Sequence, residues 1–455
     1  LVAAGCRVQV KNPESETDPS DSSRWNLHDP TKSFTAQLRY AVATESIQPE
    51  KPIPLSGFGG IGRRLVPPGL NAEEAAAWQI PYKKVDIAPR VKVMLFQAEG
   101  DDQAKHTFSI ISLDVVGISK RFKSKIVKSL AKRYPEANFS QSSLQMVATH
   151  SHSGPAGLAQ DPMFETLAGD RYNESYFDFV EQRILDTYQK AFASLENLLN
   201  TSIKHPIEKG FNSTRLDGME VDARVRFADL YSWSQRGCLI SFALHPTTFG
   251  QKEQILSPDI GGHIERAFES TFGAQGCIFL PGVIGNASTK LGSRSRTDYS
   301  NEMANALFAA SVDFSQNDAI RFAFGGAPVT LPEATINARG CEIEKLDATL
   351  NLNLVKTRDR RTEVGFLALG QTAWIFLPGE VLQDAAKSIE KAVLEAQPEL
   401  KNVILVSAAN DYVGYLMKPS TYDKPSLESC SALFPPSSYK ILESAAIKLA
   451  RKMKF

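Results

Sequence analysis

Apolar, β-branched runs alternate with stretches of helical periodicity along most of the chain. Residues 106–116 read as a buried strand, 119–134 as an amphipathic helix rich in Lys and Arg, and 144–149 as another strand. That order predicts a right-handed parallel unit. A long helix is expected over 176–198, with Phe177, Phe179, Val180, Ile184, Tyr188 and Phe192 at helical spacing as core packing. The second half has the same grammar: strand 238–244, helix 262–272, strand 277–280 and helix 300–310. A hairpin of 363–369 and 372–377 about Gly370-Gln371, a helix over 381–396 and a strand over 402–408 follow. No internal repeat stands out. The alternation predicts an α/β fold with a mixed, largely parallel sheet flanked by helices, and ligands bound beyond the carboxyl ends of its strands.

The polar segment 11–33 departs from this pattern. It is rich in Asn, Pro, Glu, Ser, Thr and Asp, buries too little apolar area to offset its ordering entropy, and reads as a flexible tether. The expected organisation is therefore residues 1–33 as tether and 34–455 as one catalytic body. The chain opens LVAAGC, which resembles the end of a bacterial lipoprotein signal peptide, the lipobox. Acylation of Cys6 would anchor the protein to a membrane surface of the cell envelope, periplasmic or outer, with secretion as the alternative. The five cysteines (Cys6, Cys238, Cys277, Cys341, Cys430) read as too few and too scattered for a disulfide framework, and none forms a CxxC pair.

Composition narrows the partners. With 51 basic and 51 acidic side chains among 455 residues, no broad field attracts nucleic acid, and the basic stretch 448–454 reads as the solvated face of a terminal helix. No run of about 18 apolar residues is present to span a bilayer as a helix.

The candidate chemistry gathers at strand ends. His150 and His152 close one strand at the i, i+2 spacing that shares a face in extended backbone. His245 ends the next. A glycine-containing turn then presents Ser288, Glu380 follows another strand in Pro378-Gly379-Glu380, and the last runs into Asn410-Asp411-Tyr412. Two histidines and a glutamate are ordinary ligands of catalytic zinc, which lowers the pKa of bound water to about 7 and polarises a carbonyl. The chemistry so composed is hydrolysis of an amide or ester. The isolated His106, His205 and His263 read as surface or cap residues, Asp259 as the cap of the following helix, and Asp114 as a buried carboxylate behind the site.

The strings ATHSHSGPAG (148–157), FALHPTTFG (242–250), GNAS (285–288), PGE (378–380) and NDYVGY (410–415), in this order, resemble the neutral/alkaline non-lysosomal ceramidase family. The similarity extends loosely over 54–444 and includes Gly57-Phe58 and Val221-Asp222. The resemblance implies one zinc ion held by His150, His245, Glu380 and Tyr415, with Tyr412 a second candidate. It also implies His152 facing the substrate carbonyl, Ser288 as the essential active-site serine and Arg215 as the site arginine. The implied reaction cleaves the N-acyl bond of ceramide or a related lipid amide.

Two features depart from the family pattern. Val283, Asn286 and Thr289 replace the first Asn, the Asp and the Pro of the serine loop, and Leu427 stands where a tyrosine would help hold the oxyanion. A C-terminal β-sandwich domain is not expected in this chain. The departures leave three alternatives: the same metal chemistry on another amide or ester, a catalytically weak surface-tethered binding lipoprotein, and a zinc-free serine hydrolase. The last is disfavoured because the chain has no GxSxG elbow.

Overall fold

The computed structural model describes residues 31–34, 37–58, 80–100, 104–137, 139–161, 165, 168–206, 208–309, 321–335, 337, 340–341 and 359–453. Cys6 and the expected tether as far as residue 30 lie outside the described residues. The tether's last residues do not follow expectation: Thr31–Phe34 forms a strand paired antiparallel with residues 322–325.

Three sheets share one topology. In the first, β1 (Arg39–Ser46), β2 (Arg90–Glu99) and β3 (Lys105–Leu113) are antiparallel neighbours, and helix α1 (Lys120–Arg133) crosses over to β4 (Leu144–Ala148), parallel to β3. Helix α2 (Glu174–Ala193) closes the unit. The second unit repeats the order with β5 (Asn200–Lys204), β6 (Arg226–Tyr231), β7 (Arg236–Phe242), α3 (Asp259–Phe272), β8 (Gly276–Pro281) and α4 (Arg296–Ala309). The third does so with β9 (Phe322–Thr330), β10 (Arg361–Leu369), β11 (Thr372–Phe376), α5 (Gln383–Ala396), β12 (Asn402–Val406) and α6 (Ser437–Lys452).

The mixed α/β class matches expectation, but the sheets are not largely parallel. At the centre of each unit are two antiparallel pairings and one parallel pairing, the parallel one joined by a crossover helix, and a further antiparallel pairing lies at the edge of the first and of the third sheet. A topological repeat is thus present where the sequence shows none.

Alternate residues of these strands face opposite layers. Met94, Phe96, Phe108, Ile110, Leu239, Ile278, Leu367 and Trp374 meet in a central core drawn from all three sheets. Val93, Leu95, Ile111 and Met146 pack outward against α1 and α2, Ile240 and Phe279 against α3 and α4, and Phe366 and Ile375 against α5 and α6. Strands buried on both faces read as continuous apolar runs, which is why several were visible in the sequence.

Two disulfides correct the reading of the cysteines. Cys238 bonds to Cys277, its direct partner across the parallel β7–β8 pair, and Cys341 bonds to Cys430. Sequence separations of 39 and 89 concealed pairs that strand register and loop packing bring to a Cα separation of 4.4 Å.

Candidate active site

The carboxyl ends of the three parallel pairs are tied together by backbone hydrogen bonds. Ala148 N donates to Ala408 O (3.1 Å), Asn410 N to Met146 O (2.7 Å) and Ser407 N to Pro281 O (2.8 Å). The side chain of Asn410 adds two more, accepting from Met146 N and donating to Gln145. Ala408 and Asn410 reach these contacts with φ of 53° and 67°, conformations a non-glycine residue holds only when its surroundings impose them.

His150 follows β4 with φ 64°, so its approach to His152 comes from a left-handed residue beyond the strand end and not from the pleat of an extended strand. His150 Nδ1 donates to Val116 O at 2.7 Å, which leaves Nε2 with its lone pair outward. His152 Nε2 lies 3.3 Å from His150 Nε2 and 3.2 Å from His245 Nε2. His245 turns its Nδ1 towards Ile284 O at 3.5 Å. Gly57, with φ 111°, makes room for this packing: a Cβ there would lie 2.5 Å from His152 Cα. Phe58 then meets the His152 ring edge-on at 4.8 Å between centroids.

Glu380 completes the cluster from the third unit. Its Oε1 is 3.4 Å from His150 Nε2 and accepts the Tyr412 hydroxyl at 2.5 Å. Its Oε2 is 3.8 Å from His245 Nδ1 and is buried with no hydrogen-bond partner among the described residues. Tyr415 is the register partner of Glu380 in a two-residue parallel pairing. The described residues therefore bring His150, His152, His245 and Glu380 together, with Tyr415 and Tyr412 on the Glu380 side.

Burial and the charges of Arg215, His150 and His152 push the His245 pKa well below the ordinary imidazole range. Burial opposes charge on Glu380, yet His150 and the Tyr412 hydrogen bond hold its carboxyl below the usual value. Burial and Glu380 keep the Tyr415 hydroxyl protonated.

The residues suit a cation. His150 and His245 both direct Nε2 at His152 Nε2, which can donate at most one proton in its neutral form, and a buried carboxylate oxygen without a partner stands beside them. Among the described residues, His150, His152 and His245 form the group whose ligand atoms lie close enough to hold an ion, all within 4.8 Å.

Arg215 and Ser288 occupy the edge of the site. Arg215 Nη2 donates to Gly285 O (2.7 Å), and its Nε forms an ion pair with Glu428 Oε1 (3.0 Å) that is not aligned as a hydrogen bond. Ser288 lies half-buried in the strand pair Ala287–Thr289 and Asn212–Thr214, opposite Ser213; no hydrogen bond joins it to the imidazoles among the described residues. Its loop is pressed against Val381, where a Cβ on Gly285 would come within 2.8 Å of the Val381 carbonyl.

The departures in this loop have structural uses. Asn286 Nδ2 donates to Thr214 Oγ1 and Glu220 O, both at 3.0 Å, and its Oδ1 accepts from Gln383 N at 2.9 Å. An aspartate could not donate either of the first two. Thr289 Oγ1 donates to His245 O at 2.7 Å, which a proline could not do. Leu427 is 64% exposed on the rim of a cleft that Arg215 also lines.

Other expectations resolve differently. Asp259 does not act as the N-cap of α3; it is the first helical residue, with φ 55°, and its carboxylate accepts from Thr248 N, Thr248 Oγ1 and Phe249 N, fixing the loop after His245. Asp114 accepts from Lys92 Nζ and Arg90 N and, among the described residues, bonds to no site histidine. His106 is buried rather than at the surface. Sequence reasoning missed Glu428, whose only signal was its place next to the anomalous Leu427.

The chain resembles known proteins in a sequence profile and in fold. Residues 94–205 match the profile of the family described as neutral/alkaline non-lysosomal ceramidase, N-terminal. The fold is that of the neutral ceramidase from Pseudomonas aeruginosa: TM-score 0.73 at 14% identity, over 92% of this chain and 74% of that one. A ceramidase complexed with C2 superposes with TM-score 0.71 at 13% identity, over 91% and 75% of the two chains.

Proposed function

Because the chain belongs to the neutral/alkaline non-lysosomal ceramidase family, we propose that it is a zinc-dependent amidohydrolase that cleaves the N-acyl bond of ceramide or a related lipid amide. The observation that carries this reading is the meeting of three imidazoles and a buried, partly unpartnered carboxylate at the ends of strands from three sheets. In this reading His150, His245, Glu380 and Tyr415 hold the ion. Zinc bound there supplies Lewis acidity and a nucleophile usable at neutral pH.

The chain's own groups do the rest. Val116 O fixes the tautomer of His150, and Tyr412 orients Glu380 through its 2.5 Å hydrogen bond. His152 carries the donor that faces the developing oxyanion, and Arg215 adds positive charge at the edge of the site. Ser288 positions the substrate or attacks it. Lipid on Cys6 would keep the enzyme at the membrane that holds its substrate; metabolic labelling with a fatty acid, lost in Cys6→Ser, tests that part separately.

Metal analysis together with hydrolysis of an N-acyl sphingosine tests the whole. We expect about one zinc per chain and a fall in kcat/KM of about a thousandfold in His245→Ala, with its thermal midpoint little changed. Full activity in that variant, or in chelated protein, would overturn the mechanism.

A further inference from the structure

A cleft of about 1050 Å³ begins at Arg215 and is walled by the loop 215–220, the first turns of α5 and the segment 418–428. Arg215 belongs both to this cleft and to the edge of the site, where its Nη2 donates to Gly285 O in the Ser288 loop. The volume is that of a substrate pocket.

Its chemistry does not suit a purely hydrocarbon occupant. Half of its sixteen lining residues are charged, so an aliphatic chain filling it would strip water from ionised groups at a cost of several kcal/mol. The acidic members are largely engaged. Glu428 pairs with Arg215, Glu220 with Lys387 Nζ at 2.6 Å, and Asp384 accepts from Ala385 N, Lys418 N and Thr421 Oγ1. Asp217 is exposed to solvent at the rim.

Lys418 and Lys424 differ. Both line the cleft, and neither ammonium has a carboxylate within ion-pair distance among the described residues. Lys418 is half-buried. Apolar contact is available beside them from Leu216, Met219 and Leu427.

We propose that this cleft selects N-acyl amides whose amine portion carries a carboxylate, in the manner of an N-acyl amino acid, with Lys418 and Lys424 taking the anion. The inference rests on the amide-hydrolase reading and narrows its substrate class to the related lipid amides, since the amine portion of ceramide itself carries no carboxylate. The reaction is unchanged: water adds to the acyl carbon, the C–N bond breaks, the acyl group leaves as a carboxylic acid and the nitrogen takes a proton from the water.

The test uses a matched pair, N-dodecanoylglycine and N-dodecanoylethanolamine, with the zinc-loaded full chain. Binding is followed by calorimetry and hydrolysis by product release. The glycine amide should bind on the order of tenfold more tightly, the worth of one charge-assisted hydrogen bond, and show a correspondingly lower KM. In Lys418→Ala/Lys424→Ala the two dissociation constants should converge, with thermal unfolding checked to exclude a folding defect. Equal or tighter binding of the neutral amide, or a preference that survives the double substitution, overturns the proposal. If neither amide is hydrolysed, the amide-hydrolase reading fails, while the binding ratio still decides the question of the anion.

Discussion

Glu265 and Glu380 are both buried carboxylates, at 0% and 2% exposure, and their surroundings treat them in opposite ways. Glu265 has every acceptor position in use. Lys92 Nζ lies at 2.9 and 3.1 Å from its two oxygens, Arg90 Nη2 at 3.1 Å and Phe279 N at 2.9 Å. Asp114 shares the same lysine. Glu380 has one oxygen engaged by the Tyr412 hydroxyl and the other without a hydrogen-bond partner among the described residues. Burial raises the Glu265 carboxyl pKa despite Lys92, whereas His150 lowers that of Glu380 despite burial. The Glu265 cluster, with every carboxylate oxygen partnered, joins the first unit to the second. An unsaturated one, at the meeting point of all three units, is chemically available.

The largest effect expected from this contrast is on stability, at the saturated cluster. Lys92→Met removes the cation shared by Asp114 and Glu265 and leaves two buried carboxylates short of a partner. It should cost about 3–5 kcal/mol, a large part of a typical folding free energy, measured as a fall in the denaturant midpoint. A loss below about 1 kcal/mol would show that the network contributes little to the fold. At the open cluster the balance reverses. Tyr412→Phe removes the hydroxyl that donates to Glu380, and we expect kcat/KM to fall by about tenfold with a much smaller change in midpoint than in Lys92→Met. Comparable stability losses in both variants would erase the distinction.

How much of this the sequence disclosed depends on what each feature rests upon. His150, His245 and Glu380 were legible because each follows an apolar run, and polar groups just beyond buried strands gather at one end of an α/β fold. The helix α1 was legible within a residue at either end because its apolar stripe and its cap Ser119, which accepts from Phe122 N, are local signals. The threefold topology was not, since it resides in antiparallel neighbours such as β1 and β2 or β5 and β6, whose pairing is a long-range fact. The role of Asp259 was hidden for the same reason: its partners Thr248 and Phe249 are reached across a loop. The Cys238–Cys277 bond depends on the register of two parallel strands joined through a helix.

A third cluster lies between the two extremes and gives the smallest effect. Asp222 is held by Arg224 and Arg226, and Arg224 is shared with Glu390, so the carboxylates there are satisfied. His205 beside them is not: its Nε2 is buried without a hydrogen-bond partner among the described residues. Burial, reinforced by Arg226 and Arg224, lowers its pKa to about 4. The folded-state pKa is thus depressed below an unfolded value of about 6.5, so in the interval between them the unfolded chain binds more protons than the folded one. Stability is lost as pH falls through that window and no further below it. His205→Asn lacks this titration, so its thermal midpoint should fall less than that of the parent between pH 7 and pH 4.5, and the two curves should run parallel above pH 7. The protein's other acid-sensitive groups contribute equally to both chains, so the difference isolates His205. Parallel curves over the whole range would mean that this imidazole titrates as freely as one in water, and that partial satisfaction of a buried cluster carries no pH cost here.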